Sequence, residues 1–219
     1  ARALHKKLNV PVGIVHSSWG GTAVEAWTSL DVQTGDKKLA PVFAQWKGKL
    51  KADRNKPANL FNGMISPILP YGIRGAIWYQ GERNARTVAS AKLYAHQLPL
   101  MINDWRRRWG QGDFPFLWVQ LPNFKARQDD PNTVSVWAHT RESMARTLEL
   151  PNTGMATTID IGEARDIHPK NKQDVGKRLA NWALAEFYNQ KGVVTTGPMY
   201  ASREVKGSKV MITFDHADG

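Results

Sequence analysis

The sequence predicts an α/β fold in which a parallel sheet is covered by helices on both faces. Four short apolar or β-branched runs, each bounded by turn residues, predict strands at residues 10–15, 73–79, 116–121 and 155–161. Segments with a helical spacing of apolar residues follow these runs, at residues 37–51, 93–108, 136–148 and 173–189. Strands that alternate with helices are typical of a parallel sheet buried on both sides.

Two of the predicted helices have features that bear on their shape and packing. Pro99 lies inside the second helical segment and predicts a kink or a restart there. The last helix carries one apolar stripe, which favours a core-facing helix over a cofactor contact; it consists of Val175, Leu179, Trp182, Ala183 and Phe187.

The pattern changes after Gly192. Residues 205–214 predict a hairpin with its turn at Lys206 and Gly207. We therefore expect one domain at residues 1–192 and the start of a β region at 193–219.

Composition excludes several classes of protein. The 219 residues are 42% hydrophobic, which excludes a disordered chain, and no apolar run approaches the roughly 18 residues of a membrane span. The absence of cysteine excludes disulfides, thiol nucleophiles and cysteine-ligated metals. The net charge of +11 suggests nucleic acid, but the basic residues are scattered at helical spacings and no nucleic-acid-binding motif accompanies them. We expect no nucleic-acid partner, no metal and no cofactor, since His and carboxylate residues never fall at ligand spacing and no nucleotide fingerprint occurs.

Polar residues follow the first two predicted strands. Gly20 and Gly21 follow the first strand, where bare N–H groups at a helix start would suit a developing oxyanion, although a plain strand-to-helix turn has the same pattern. Gln80, Glu82 and Asn84 follow the second strand and concentrate more hydrogen-bonding capacity than a plain loop needs. Because ligands bind beyond the carboxyl ends of parallel strands, these groups are candidates for a site.

A third candidate follows the last predicted strand. His168 comes two residues after Asp166, and Pro169 restricts its backbone to an extended conformation. An acid that orients an imidazole is what a general base requires. The pair therefore favours catalysis over a structural histidine.

These blocks together resemble the sialate O-acetylesterase-like carbohydrate esterases. Residues 11–22 (PVGIVHSSWGGT) with 25–27 (EAW) resemble their second signature block, 62–64 (NGM) with 73–82 (IRGAIWYQGE) their third, and 166–169 (DIHP) their last. The resemblance covers about residues 5–215. It implies the SGNH hydrolase superfamily, a flavodoxin-like three-layer α/β/α sandwich, a carbohydrate O-acetylesterase acting on acetylated sugars of sialic acid or polysaccharide, and a secreted or periplasmic location.

The resemblance also assigns roles. It implies oxyanion donors at the backbone of Gly20 or Gly21 and at Asn84, with His168 as the base. Asp166 is the implied acid and Asp160 the reserve, because the superfamily's usual acid position, three residues before the histidine, holds Arg165. Gln80 and Glu82 would brace the oxyanion loop. Trp19 and Trp78, beside the blocks, are candidates for stacking on sugars.

The family's nucleophile is absent from the sequence. In the family it is the serine of a Gly-Gln-Ser-Asn-Met motif after the first strand of the fold, and no Gly-Gln-Ser occurs in this chain. We therefore expect the 219 residues to belong to a longer or cleaved polypeptide, in which a companion segment inserts that strand between strands 10–15 and 73–79. Ser17 and Ser18 are the reserve nucleophiles.

A second class of function stays open. The nine tryptophans are compatible with a non-catalytic carbohydrate-binding relative of the same fold. His168, Asp166 and Asn84 argue against it, since a pure binder needs no base.

Overall fold

The computed structural model describes residues 1–49 and 53–217. The six α-helices of this part of the chain are α1 (Arg2–Leu8), α2 (Leu30–Thr34), α3 (Ala40–Trp46), α4 (Val88–Trp109), α5 (Val136–Arg146) and α6 (Lys172–Trp182). Short 3-10 turns occur at Val24–Trp27, Lys37–Leu39, Ser66–Ile68 and Thr147–Glu149, and π-helical turns at Phe61–Ile65 and Ala183–Phe187.

A parallel sheet forms the centre of the fold, as the sequence predicts. Its strands are β1 (Ala76–Trp78), β2 (Phe116–Val119) and β3 (Thr153–Ala156), in the order β1-β2-β3. Trp78 lies opposite Trp118, which lies opposite Met155. Each strand is shorter than its predicted run and lies within it or overlaps its start.

Helices cover both faces of this sheet, which gives three layers. Phe116 and Trp118 face α4, whose Trp105 meets the Phe116 ring edge-on at 5.7 Å. Leu117 and Gly154 face α6, and a Cβ on Gly154 would lie 2.6 Å from the Trp182 ring. Gly154 thus allows α6 to approach the sheet.

The helix predictions need two corrections. The restart predicted at Pro99 is wrong, because α4 runs through it from a Thr87 cap to Gly110, with the residues that pack on the sheet side fully buried. The predicted helix at residues 37–51 is divided, because Pro41 starts a new helix in its first turn. Residues 50–51 lie outside the described residues.

The strand predicted at residues 10–15 is wrong. This segment is irregular and pairs with no strand, and Ile14 is 74% exposed. Within the described residues, nothing pairs with the outer edge of β1, where Ile77 is 70% exposed. A strand exists only when a neighbour takes its backbone hydrogen bonds, so the apolar run alone does not form one.

The predicted hairpin is confirmed, with its turn one residue later than expected. β4 (Met199–Lys206) pairs antiparallel with β5 (Lys209–Asp215), and all but the first of their residues are exposed. The boundary predicted between residues 192 and 193 stays a prediction.

Candidate functional site

A cleft of about 550 Å³ lies beside β1. Its walls are the segment 14–22, the strand β1 with the loop that follows it to Arg83, and the face of α6 from Lys172 to Leu179. Eight predicted site residues, the two reserve serines included, line it together: Ser17, Ser18, Trp19, Gly20, Gly21, Trp78, Gln80 and Glu82. The second and third signature blocks, whose cleft residues are about 60 positions apart in sequence, therefore meet in one place.

The glycine turn is held rigidly from one side. Gly21 has a φ of +70°, which a side chain would strain. The Thr22 hydroxyl donates to the Trp19 carbonyl at 2.7 Å, and the Ala23 N–H donates to Asn55 Oδ1 at 3.0 Å. In the described part of the chain, the N–H groups of Gly20 and Gly21 donate to no acceptor. They are available to a ligand oxygen in the cleft.

Asn84 lies behind this turn and not in the cleft wall. Its Oδ1 accepts from the Val24 N–H at 3.0 Å and from Gln80 Nε2 at 2.8 Å. Its Nδ2 donates to Glu25 Oε2 at 2.9 Å and to Gln97 Oε1 at 3.4 Å. An amide has two donor hydrogens, so an oxyanion bond from Asn84 would have to replace one of these bonds.

Gln80 links the two loops directly. Its Nε2 also donates to the Thr22 carbonyl at 2.9 Å, and its Oε1 accepts from the buried Tyr94 hydroxyl at 2.9 Å. Gln80 thus joins the glycine turn to α4, and its role in bracing an oxyanion loop stays a prediction.

Glu82 lines the cleft on the side of α6. Burial raises the pKa of its carboxyl, and the charges of His168 and Lys172 oppose that shift. Lys172 Nζ also lies 4.7 Å from the centre of the Tyr79 ring, over its face. The loop after β1 therefore lies within electrostatic reach of the His168 loop.

His168 itself is on an exposed loop. Its side chain is 88% exposed, and Nδ1 lies 3.6 Å from Asp166 Oδ1. The same carboxylate oxygen accepts the His168 N–H at 2.8 Å, which fixes the acid beside the imidazole. The distance of 3.6 Å is longer than a hydrogen bond, so the imidazole and the carboxylate are adjacent but their side chains are not hydrogen-bonded to each other.

The reserve acid Asp160 is engaged elsewhere. Both of its oxygens accept from the Arg178 guanidinium, each at 2.6 Å, and these bonds lower its pKa. Of the two acids, Asp166 is the one beside His168.

The reserve nucleophiles differ in their partners. The Ser17 hydroxyl donates to the Met64 carbonyl at 3.1 Å, whereas Ser18 Oγ lies 2.5 Å from His16 Nε2. Both serines line the cleft. Ser18 is the one with a histidine neighbour.

The two tryptophans proposed for sugar stacking lie in different environments. Trp19 is 51% exposed at the cleft. Trp78 is 8% exposed, and its ring meets those of Trp27 and Trp105 edge-on, each at 5.8 Å. Trp78 packs in the core, so its ring has almost no free surface on which a sugar could stack.

Sequence reasoning gave no role to Glu25, Gln97 or Tyr94, which complete the network around Asn84 and Gln80. Glu25 lies inside the second signature block, and that position could have indicated a functional role. Gln97 and Tyr94 lie on α4 among apolar residues and carry no such signal.

The parallel sheet covered by helices on both faces, with a glycine turn beside β1 and a His–Asp loop after β3, is that of an SGNH-type hydrolase fold. The family described as "carbohydrate esterase, sialic acid-specific acetylesterase" matches residues 1–185, and the chain belongs to this family.

Similar proteins agree with this assignment. Human sialate O-acetylesterase is 32% identical over 234 residues, covering 98% of this chain and 43% of the human protein. Mouse sialate O-acetylesterase is 30% identical over 254 residues, covering 98% and 46%. The crystal structure of a carbohydrate acetylesterase from Xanthomonas citri matches with a TM-score of 0.84 and 42% identity, over 99% of this chain and 46% of that one. The chain spans less than half the length of these relatives.

No helix among the described residues is long and apolar enough to cross a membrane. The secreted or periplasmic location implied by the resemblance stays a prediction.

Proposed function

We propose that the chain supplies most of the active site of a carbohydrate O-acetylesterase that uses a serine nucleophile. The observation that carries the proposal is the pair of N–H groups at Gly20 and Gly21, which donate to no described acceptor and face a cleft whose α6 wall follows the loop that holds His168 beside Asp166. Donors for an oxyanion and a base beside an acid are the two parts that acyl transfer requires.

In the proposed mechanism, a serine oxygen attacks the acetyl carbonyl and His168 Nε2 accepts the serine proton. Asp166 orients the imidazole, and the Gly20 and Gly21 N–H groups stabilise the negative charge on the former carbonyl oxygen. His168 then gives this proton to the sugar oxygen as the ester bond breaks, so that the sugar leaves as an alcohol and the acetyl group stays on the serine. A water molecule gives a proton to His168 and attacks the acetyl-serine; His168 returns that proton to the serine oxygen as acetate leaves.

We propose that the serine comes from a companion segment outside these 219 residues. Three features support this: no described strand pairs with the outer edge of β1, Ile77 on that strand is exposed, and the apolar Ile14 and Val175 line the adjoining cleft. A strand in that position would satisfy the β1 edge and carry its following residues toward the glycine turn. Ser18, beside His16, is the alternative nucleophile within the chain.

Labelling separates these two sources. The complete polypeptide would be treated with a fluorophosphonate, which bonds to activated serines, and the modified peptide located by mass spectrometry. We expect the adduct on a serine outside residues 1–219, together with release of acetate from p-nitrophenyl acetate. An adduct on Ser18 or Ser17, or an active and cooperatively folded 1–219 fragment, would place the nucleophile in this chain.

A non-catalytic carbohydrate-binding role predicts a different result. A complete polypeptide that binds acetylated sugars but is neither labelled nor able to release acetate would support that alternative.

A further inference from the structure

Glu25 is a carboxylate that the proposed mechanism does not use. It lies in the 3-10 turn after the glycine block, and its Oε2 accepts from Asn84 Nδ2 at 2.9 Å and from Gln97 Nε2 at 3.3 Å. Burial raises the pKa of this carboxyl, and the amide bonds oppose the shift. A partly buried carboxylate is costly unless it is hydrogen-bonded, and the bonds from Asn84 and Gln97 offset that cost for Glu25.

The bonds around Asn84 leave its amide one orientation. With Nδ2 directed at Glu25, Oδ1 is the atom that accepts from the Val24 N–H and from Gln80. A flipped amide would point its hydrogens at the Val24 N–H, which is a donor, and its oxygen at the Glu25 carboxylate, which is an acceptor, so the bonds at both ends would be lost. Glu25 therefore holds the Nδ2 end of Asn84, as Val24 and Gln80 hold its Oδ1 end.

Asn84 in turn connects the two loops of the cleft. Its Oδ1 holds Val24, two residues after the glycine turn's Thr22, and Gln80 holds the Thr22 carbonyl itself at 2.9 Å. Tyr94 and Gln97 anchor this set on α4, and both are fully or almost fully buried. This frame, which consists of Glu25, Gln80, Asn84, Tyr94 and Gln97, holds the backbone at Thr22 and Val24, directly after the glycine turn.

We infer that Glu25 is a positioning residue, which orients the Asn84 amide and through it fixes the glycine turn whose N–H groups face the reacting carbonyl. The inference rests on the proposed function for its catalytic consequence. It assigns Asn84 to the frame that supports the oxyanion donors.

The first test compares three variants of the complete polypeptide. Glu25→Ala removes the acceptor, Glu25→Gln keeps an acceptor oxygen at the same length, and Ser143→Ala is the matched control. Ser143 is buried and donates at 2.7 Å to the Ala91 carbonyl, on the helix pair α4–α5 and outside the cleft wall.

We expect Glu25→Ala to lower kcat for p-nitrophenyl acetate by about 10- to 100-fold, the scale of supporting groups that orient a reacting centre, with KM nearly unchanged. Glu25→Gln should recover most of that loss. Ser143→Ala should lower the free energy of unfolding without lowering kcat. A Glu25→Ala loss confined to KM or matched by Ser143→Ala, or a Glu25→Gln as impaired as Glu25→Ala, would overturn the inference.

A double variant tests whether Glu25 acts through Asn84. If it does, Glu25→Ala combined with Asn84→Ala should be no slower than Asn84→Ala alone. Multiplying losses in kcat would mean that the two residues act independently and would overturn the coupling.

Hydrogen exchange gives a readout that does not depend on esterase activity. The Val24 N–H, bonded to Asn84 Oδ1, should exchange about tenfold faster or more in Glu25→Ala but keep its protection in Glu25→Gln and Ser143→Ala. An unchanged Val24 rate in Glu25→Ala would overturn the inference even if the parent polypeptide is active. If the unsubstituted polypeptide releases no acetate but the Val24 exchange rate responds as expected, the proposed function is wrong, while the role of Glu25 in holding Asn84 and Val24 still stands.

Discussion

The glycine side and the histidine side of the candidate site are built in opposite ways. On the glycine side, Asn84 and Gln80 are buried and every polar atom of their side-chain amides is bonded. On the histidine side, His168 is 88% exposed and 3.6 Å from its acid. The difference indicates that the fold of this chain already fixes the surroundings of the proposed oxyanion donors, whereas the proposed base is open to solvent.

This contrast has an energetic reason. Oxyanion donors stabilise a transition state only if their direction is fixed beforehand, which requires a rigid and saturated frame. A general base must exchange protons with substrate and water, so an exposed position costs it nothing. Substitutions on the two sides should therefore separate activity from stability.

The largest expected effect is on the histidine side. In the complete polypeptide, His168→Ala should lower kcat by about 10³-fold or more, because a general base is lost, and leave the unfolding midpoint unchanged, because the side chain is exposed. Acetate release and thermal unfolding would be measured on the same samples.

Asp166→Asn and Asp160→Asn are the matched pair that identifies the acid for this histidine. The first should slow turnover strongly, whereas the second should not, because Asp160 is bound to Arg178. A near-parental rate for His168→Ala, or a larger loss for Asp160→Asn, would show that the site is wrongly assigned.

The next largest effect is on stability and comes from Trp78, which lies in β1 and packs in the core. Trp78→Ala should lower the free energy of unfolding by about 3–5 kcal/mol, because it opens a cavity beside Trp27 and Trp105. Its counterpart Trp19→Ala should change stability by less than about 0.5 kcal/mol, since Trp19 is half exposed. Urea unfolding of both variants checks the contrast, and equal losses would contradict it.

The smallest expected effect concerns pH. Arg178 lowers the pKa of Asp160 from its ordinary 3.8, so the folded state binds fewer protons there than the unfolded state. The resulting stability is present above about pH 3.8 and is lost as the pH falls through the folded pKa. For a pair this exposed it should stay below about 1 kcal/mol.

Asp160→Asn should remove this small contribution. Its stability should differ from the parent's at about pH 6 and converge with it at about pH 2. Urea unfolding at the two pH values measures it, and a difference that grows on acidification would contradict the sign.

The sequence by itself determined the parallel α/β class, the strands β1, β2 and β3, and the membership of the family, because apolar runs and signature blocks are local in the chain. It also picked out the glycine turn and the pair His168 and Asp166, since each is a short contiguous motif. Only the tertiary structure decided that residues 10–15 form no strand, that Trp78 packs in the core while Trp19 is exposed, that Asp160 belongs to Arg178, and that Asn84 is held by Glu25 and Gln97. Each of these depends on a partner far away in the chain, and the availability of a hydrogen bond or a ring face is a property of that partner as much as of the residue itself.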